Sequence, residues 1–401
     1  MALPSKPIHI LIIPSWYPRT PSDIGGSFFR EQAIALKKRG HQVGVITPCL
    51  RSLREWTNIF KRYGIVHEVD EGIPTLRYHG MSLTPGLDIL SEKTWVYWGL
   101  QLFSEYIKIY GRPDIIHVHS LDKGALLAFD IYKRFGIPYV VTEHSSSFAR
   151  GLVSSAKKQR LHKAVMAAQA TIAVSQPFAD LLNKSFDGSN WFYIPNIVSN
   201  KFIQAELELN SKKNVPFTFL NICLLTENKC VDKLITAFSL LANKYEQLRL
   251  EIGGDGVCKP ALEALVVQLG ITEQVKFLGA LSREQVIAHM QRADAFVLAS
   301  EYETFGVVLV EALALGKPIV ATRSGGPESI VTDEVGVLVD KNSVAALRDG
   351  MEEVYQQRHS YCAADIKAYC YNNFSEAAVT AKLTEIYQRV VQAKFTTSQI
   401  E

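Results

Sequence analysis

Residues 295–321 read AFVLASEYETFGVVLVEALALGKPIVA, and the fold turns on them. The stretch opens on an apolar run, 295–299, short enough for a strand and apolar enough to be buried on both faces. A polar loop follows, and the pattern predicts a helix beginning near Phe305. Gly316-Lys317-Pro318 stops that helix, with glycine at its C-terminal end and proline beyond. The run 318–321 resumes as strand. This is one βαβ unit, the repeat of a parallel sheet.

The same alternation extends in both directions. Strands are predicted at 8–14, 42–47, 114–119, 139–142, 171–174 and 191–194, then at 217–224, 248–252, 275–278, 295–299, 318–321 and 335–339. Between them lie periodic helices such as 28–39, 124–135, 231–242, 259–269 and 283–292. The polar segment 195–216, containing AELELNSKKN, separates two complete series. The expected organisation is α/β: a Rossmann-like doubly wound domain over 1–200, a second over 201–374, and a C-terminal helix over 375–401 that packs back toward the first. Ser375 and Glu376 are its start signals. Ligands in such sheets sit beyond the carboxyl ends of the strands, so a cleft between the domains is the expected site.

Composition narrows the classes. The chain has 401 residues, 47% hydrophobic and 21% charged, with a net charge of +3. That bias is too mild to imply nucleic acid, and no nucleic-acid-binding signature is present. The six cysteines form no C-x-x-C pair, so free thiols in a reducing cytosol are expected. The apolar run 8–13 is too short for a signal sequence and ends in Pro14. No segment reaches the ~18 apolar residues needed to span a bilayer. A cytoplasmic protein is expected, at most peripheral at the inner membrane face.

The chemistry is concentrated where the quoted stretch turns from strand to helix. Glu303 stands before the helix and Glu311 two turns inside it. The free amides of Phe305, Gly306 and Val307 suit oxygen acceptors. A carboxylate such as Glu311 can hold a vicinal diol, as the acidic residue of dinucleotide folds holds a ribose. The frame Glu303-x7-Glu311, with Gly316-Lys317-Pro318-Ile319-Val320-Ala321-Thr322 and Ser324-Gly325-Gly326-Pro327-Glu328 after it, resembles the signature of glycosyltransferase family four, retaining enzymes of GT-B fold. The resemblance implies an acceptor-side first domain and a nucleotide-sugar donor-binding second domain. It implies that Glu311 binds the donor ribose, that Glu303 contacts the transferred sugar, and that the amides of Phe305, Gly306 and Val307 meet sugar and diphosphate.

Four further stretches extend the reading. Thr226-Glu227-Asn228-Lys229-Cys230-Val231-Asp232 links a strand to a helix, with Lys229 as a point charge for the diphosphate. The family carries Gly-Arg before this lysine and Gly after it; here Cys223-Leu224 and Cys230 stand instead, so one diphosphate cation is missing. Glu251-Ile252-Gly253-Gly254-Asp255-Gly256 ends a strand in glycines that let backbone approach a ligand, as a plain tight turn also does; the resemblance assigns Gly254 to the donor. Gly25 and Gly26 open a helix after Trp16, and the resemblance matches them to the family's glycine-rich donor-side loop. In Ile115-Ile116-His117-Val118-His119, His117 and His119 share a face. The resemblance implies a sugar contact for His119, with His144 a lesser candidate. Two basic stretches, 51–62 and 157–163, fit either an anionic membrane or a solvated face over core.

No metal-binding Asp-x-Asp stands out, so no cofactor or metal is expected; the donor is a UDP- or GDP-sugar and the acceptor a glycan, a lipid-linked sugar or a small molecule. Departing charge would be met by Lys229, helix N-termini and Gly325-Gly326. The rival readings are a non-catalytic sugar-nucleotide-binding subunit, an epimerase or hydrolase of the same donor, and an oxidoreductase; the missing early G-x-G-x-x-G argues against the last.

Overall fold

The computed structural model describes residues 6–18, 25–52, 63–82, 88–207 and 216–397. The chain divides into two compact units: Met1–Val174, Ala179–Ile197 and Val379–Glu401 form one, and Ser175–Phe178 with Val198–Ala378 the other.

The first unit is built on an eight-stranded sheet: β1 (His9–Pro14), β2 (Gln42–Ser52), β3 (Gly64–Asp70), β4 (Ile73–Ser82), β5 (Ile115–His119), β6 (Tyr139–Glu143), β7 (Ala170–Ala173) and β8 (Trp191–Tyr193). Their order is β3-β4-β2-β1-β5-β6-β7-β8. Helices α1 (Ser27–Lys38), α2 (Asp88–Tyr110), α3 (Asp122–Phe135), α4 (Ser155–Ala167) and α5 (Gln176–Ser185) connect them. Every residue of β1, β5 and β6 is buried, including the polar His117, His119, Thr142 and Glu143 toward the strand ends.

The second unit holds a six-stranded parallel sheet: β9 (Phe217–Ile222), β10 (Leu248–Gly253), β11 (Val275–Gly279), β12 (Ala295–Leu298), β13 (Ile319–Thr322) and β14 (Gly336–Val339), in the order β11-β10-β9-β12-β13-β14. Its helices are α6 (Asn200–Gln204), α7 (Val231–Ala242), α8 (Lys259–Gln268), α9 (Arg283–Arg292), α10 (Val307–Ala314), α11 (Val344–Gln356) and α12 (Ala363–Phe374). The last helix, α13 (Glu376–Thr397), belongs from Val379 onward to the first unit. There Val379, Leu383 and Tyr387 are buried in the core with Ile10, Val45 and Ile115.

The structure corrects the sheet expected for the first unit at one edge. β3 and β4 pair antiparallel, at the edge of an otherwise parallel sheet. Glu71 (φ 50°) and Gly72 (φ 82°) make the tight turn between them, both residues left-handed as a hairpin of this type demands. β3 is half-buried, so its polar residues interrupt the apolar run that marks the other strands. Of the basic stretch 51–62, Arg51 and Ser52 end β2, and the remainder up to 62 lies outside the described residues. The stretch 157–163 lies on α4, where Arg160 is held by both oxygens of Glu92 and Lys157 by Asp122. No described helix is long and apolar enough to cross a membrane.

Strand order reverses once in each sheet, at β1/β5 in the first and at β9/β12 in the second. Crevices at such reversals, beyond the strand ends, are where ligands bind in this architecture.

Candidate active site

In the second unit, β9 runs out into Cys223 and Leu224, then a single 3-10 turn, Glu227–Lys229, and α7. β12 runs out into the loop that ends at Gly306, whose φ of 93° turns the chain into α10. The two loops are tied together. The Glu301 amide donates to the Asn228 carbonyl at 2.8 Å, and the Asn228 side chain donates to the Tyr302 carbonyl at 3.1 Å. Lys229 Nζ donates to Glu303 Oε1 at 2.5 Å, and Ser300 Oγ donates to the same oxygen at 2.8 Å. The Glu303 carboxylate is thus held in one orientation, with a cation at its side, at the carboxyl end of the sheet.

The helix begins at Val307, two residues later than the sequence suggests. Phe305 is an anchor: its ring is buried against Phe374, with centroids 6.0 Å apart. Among the described residues, none accepts a backbone hydrogen bond from the amides of Phe305, Gly306, Val307 or Val308. Gly306, Val307 and Val308 are half-exposed. Such a cluster of open amides at a helix start is an anion site in waiting. The loop is braced from below, because the Gly326 amide donates to the Glu303 carbonyl at 2.8 Å and any Cβ on Gly326 would stand 2.3 Å from the Phe305 carbonyl oxygen. The Gly325 amide is taken by both oxygens of Glu328. These two amides therefore brace the loop, and the expectation that they meet departing charge does not hold.

Glu311 stands one turn into α10, not two, and is buried. Arg283 Nη1 donates to its Oε1 at 2.5 Å. Burial pushes the carboxyl up and the guanidinium pulls it down. Arg283 lies over the Phe202 ring, 4.8 Å from its centroid, at the start of α9. Sequence reasoning missed this arginine. The signal was the capping box of Ser282 and Gln285, which opens a helix directly behind a strand end.

Gly254 serves the same loops. Its φ is 123°, a Cβ there would meet the Cys223 carbonyl oxygen at 1.8 Å, and its amide donates to the Gly279 carbonyl at 2.7 Å. At the departures from the family pattern, Cys223 donates its thiol to Asn221 Oδ1 at 3.3 Å, and burial pushes that thiol up to about 12. Leu224 is 65% exposed. Cys230 sits at φ 47°, a left-handed position that glycine adopts without strain. Lys341, also missed, reaches the neighbouring loop, with Nζ 4.6 Å from the Tyr302 ring centroid.

The first unit presents a different chemistry at its reversal. Gly26 (φ 81°) caps α1 beneath Trp16, and a Cβ there would lie 3.0 Å from the indole; Gly25 beside it is exposed. His119, at the end of β5, is fully buried against Phe29. Its Nδ1 lies 3.0 Å from His144 Nε2, and its Nε2 has no partner among the described residues. His117 bonds Tyr387 Oη and Thr142 Oγ1 at 2.6 and 2.8 Å, which makes it a strut for α13. Burial lowers all three imidazoles, His117 and His144 to about 3. They are neutral hydrogen-bonding groups at physiological pH. Glu143 accepts from the amides of Leu121, His144 and Ser145, and burial pushes it up to about 7.

The structure therefore brings Lys229, Glu303 and the start of α10 together, sets Glu311 against Arg283 further along that helix, and places His119, Gly25 and Gly26 in the first unit. Among the described residues no three His, Cys, Asp or Glu side chains group as metal ligands.

Comparison with known proteins agrees in both halves. The family described as glycosyl transferases group 1 matches residues 201–371, and the family described as glycosyltransferase family 4 matches residues 25–201. Glycogen synthase of Mycobacterium tuberculosis is 26% identical over 365 residues, covering 86% of this chain and 86% of that protein. Among solved structures, sucrose-phosphate synthase from Thermosynechococcus elongatus superposes with a TM-score of 0.76 at 16% identity, over 96% of this chain and 100% of that one. HepE of Anabaena in complex with UDP superposes with a TM-score of 0.71 at 18% identity, over 95% and 100%.

Proposed function

The chain belongs to the group 1 glycosyltransferases of GT-B fold, and from that premise we propose that it is a retaining, metal-independent enzyme that moves a hexose from a UDP- or GDP-sugar to a glycan, lipid-linked or small-molecule acceptor. The observation that carries this reading is the contact of Lys229 with Glu303 beside the open amides of α10. A diphosphate needs cations and N–H donors fixed in advance, because preorganised groups stabilise departing charge without reorganising as the bond breaks. Lys229 supplies the point charge, and the amides of Gly306, Val307 and Val308 supply the donors. Glu303, freed from Lys229 as the phosphate takes the ammonium, accepts from hydroxyls of the transferred sugar. Glu311 grips the ribose diol, its carboxyl oriented by the hydrogen bond from Arg283.

In the proposed reaction the bond from the anomeric carbon to the β-phosphate oxygen breaks. The acceptor oxygen bonds to the same face of the sugar and passes its proton to that departing phosphate oxygen. No side chain forms a covalent bond to the sugar. The neutral imidazole of His119 fits a hydrogen-bonding role and not that of an acid.

A thermal-shift panel of UDP, GDP, ADP and their hexose derivatives, run in EDTA, tests the reading. One diphosphate should stabilise the protein clearly without added metal. No shift from any nucleotide rejects the donor site, and a shift seen only with added Mg²⁺ or Mn²⁺ rejects the metal-independent form.

A further inference from the structure

The start of α3 lies directly beyond β5, at the reversal of the first sheet. In a sheet of this kind, amides at such a helix start are a ready place for phosphate. α3 runs from Asp122 to Phe135, long enough to present a full positive end there. Leu121 stands at its cap and has no polar side chain to offer.

The chain supplies the missing acceptor from a neighbouring strand. Glu143, the last residue of β6, accepts from the Leu121 amide at Oε2, 2.5 Å away. Its Oε1 accepts from the successive amides of His144 and Ser145, at 2.8 and 2.6 Å. Three N–H groups from two loops thus converge on one carboxyl, an arrangement that elsewhere cradles an anion. The Gly124 amide, one turn into α3, is taken by Ser15 Oγ at 3.3 Å. Glu143 is 1% exposed, and burial pushes it up to about 7 although the three amides pull it down. The ionised carboxyl is therefore held at a cost to stability, and a selective role accounts for it.

Space for an anion adjoins it. Glu143 lines a cavity of about 270 Å³, together with Ser145, Ser147 and Lys157. Lys157 pairs with Asp122 of the first turn of α3 at 2.5 Å, so these two charges cancel and Glu143 sets the sign of the cavity. Without the Glu143 side chain, that space would reach the three amides.

We propose that Glu143 is a specificity-determining residue: its carboxyl fills the anion position at the start of α3 and denies it to phosphate-bearing molecules. The inference goes beyond the donor reading, because it concerns amides of the first unit and holds whichever nucleotide the second unit takes.

Titration of the full chain with inorganic phosphate at pH 8, where Glu143 is ionised, tests it through the NMR signals of the Leu121, His144 and Ser145 amides. Phosphate should leave all three unmoved in the wild type. In Glu143→Ala it should shift them, binding at least about tenfold more tightly than in the wild type, the worth of one charge-assisted hydrogen bond. Formate, which restores a carboxylate, should compete with it. Glu143→Ala leaves three amides without an acceptor and should melt below the wild type. Phosphate or formate should restore most of that loss, and sodium chloride at the same ionic strength should not. A variant that folds only with phosphate or formate present supports the proposal in the same way. Phosphate shifting the three amides in the wild type, or failing to shift them in Glu143→Ala, overturns it. So does a variant that neither anion restores. Phosphate at the start of α10 is read separately on the Gly306, Val307 and Val308 amides, and no shift there would tell against the donor site and not against Glu143.

Discussion

The two strand-order reversals share an architecture and differ in charge. At β9/β12 a lysine and a glutamate meet beside a helix start whose amides have no backbone acceptor among the described residues. At β1/β5 the residues are three buried imidazoles, an indole and a carboxyl wrapped in amides. One end offers a cation and open amides, and the other neutral hydrogen-bonding groups. In the proposed reaction, the same βαβ repeat with different residues at its strand ends would give the charged leaving group and the uncharged nucleophile separate places.

Acid should separate the two ends most strongly. His117, His119 and His144 have folded pKa values below the free value of ~6.5, so the unfolded chain takes up more protons. Their contribution to stability is whole above that value and is lost as pH falls toward 3. Glu143, raised to about 7, works in the opposite sense between ~4.5 and 7. His9 and His41 of the same unit are lowered by burial as well, so five imidazoles against one carboxyl leave a net loss of stability as pH falls from 7 to 5. Urea denaturation of the first unit at pH 7, 6 and 5, followed by tryptophan fluorescence, should show that slope. A flat profile would mean that the imidazoles are charged in the folded chain and that the contrast is false.

The charged end can be probed at Glu311. Arg283→Met removes the cation that holds the carboxyl down, leaving burial to push it up unopposed. Donor KM should rise about tenfold at pH 7, near the worth of one charge-assisted hydrogen bond, with kcat little changed. Arg283→Lys should recover part of the loss. Steady-state turnover of the donor at several pH values reads this, with the Met variant's KM climbing toward low pH. An unchanged KM would leave the arginine as packing on Phe202.

The smallest effect concerns the departure at Cys230. Cys230→Gly relieves a left-handed φ worth ~1–2 kcal/mol but deletes a buried thiol of similar worth, so stability should change by less than about 1 kcal/mol. Thermal denaturation checks it. A loss beyond 2 kcal/mol would mean that the thiol is a core element.

Much of this was legible in the sequence. Fully buried parallel strands announce themselves as apolar runs, and the strand–loop–helix around Glu303 carries glycines and proline at fixed offsets. The hairpin of β3 and β4 was hidden because half-buried strands alternate polar and apolar residues. Lys229 and Glu303 were both named, but their contact joins residues 74 positions apart, a fact of sheet order that no local pattern encodes. Arg283 escaped for the same reason: its partner Glu311 is on another helix. His119 was read at a strand end, and only packing shows it neutral and buried. Gly325 and Gly326 differ most from expectation, because glycine marks close backbone approach without saying whether ligand or protein approaches.

The central claim is that the nucleoside diphosphate is held at the second unit's reversal by Lys229 and the start of α10. Isothermal titration of wild type and Lys229→Met with the diphosphate that gives the largest thermal shift tests it most directly. The account predicts a 10- to 100-fold weaker Kd, about 1.5–3 kcal/mol, for the variant. Equal affinity in the two proteins would contradict it.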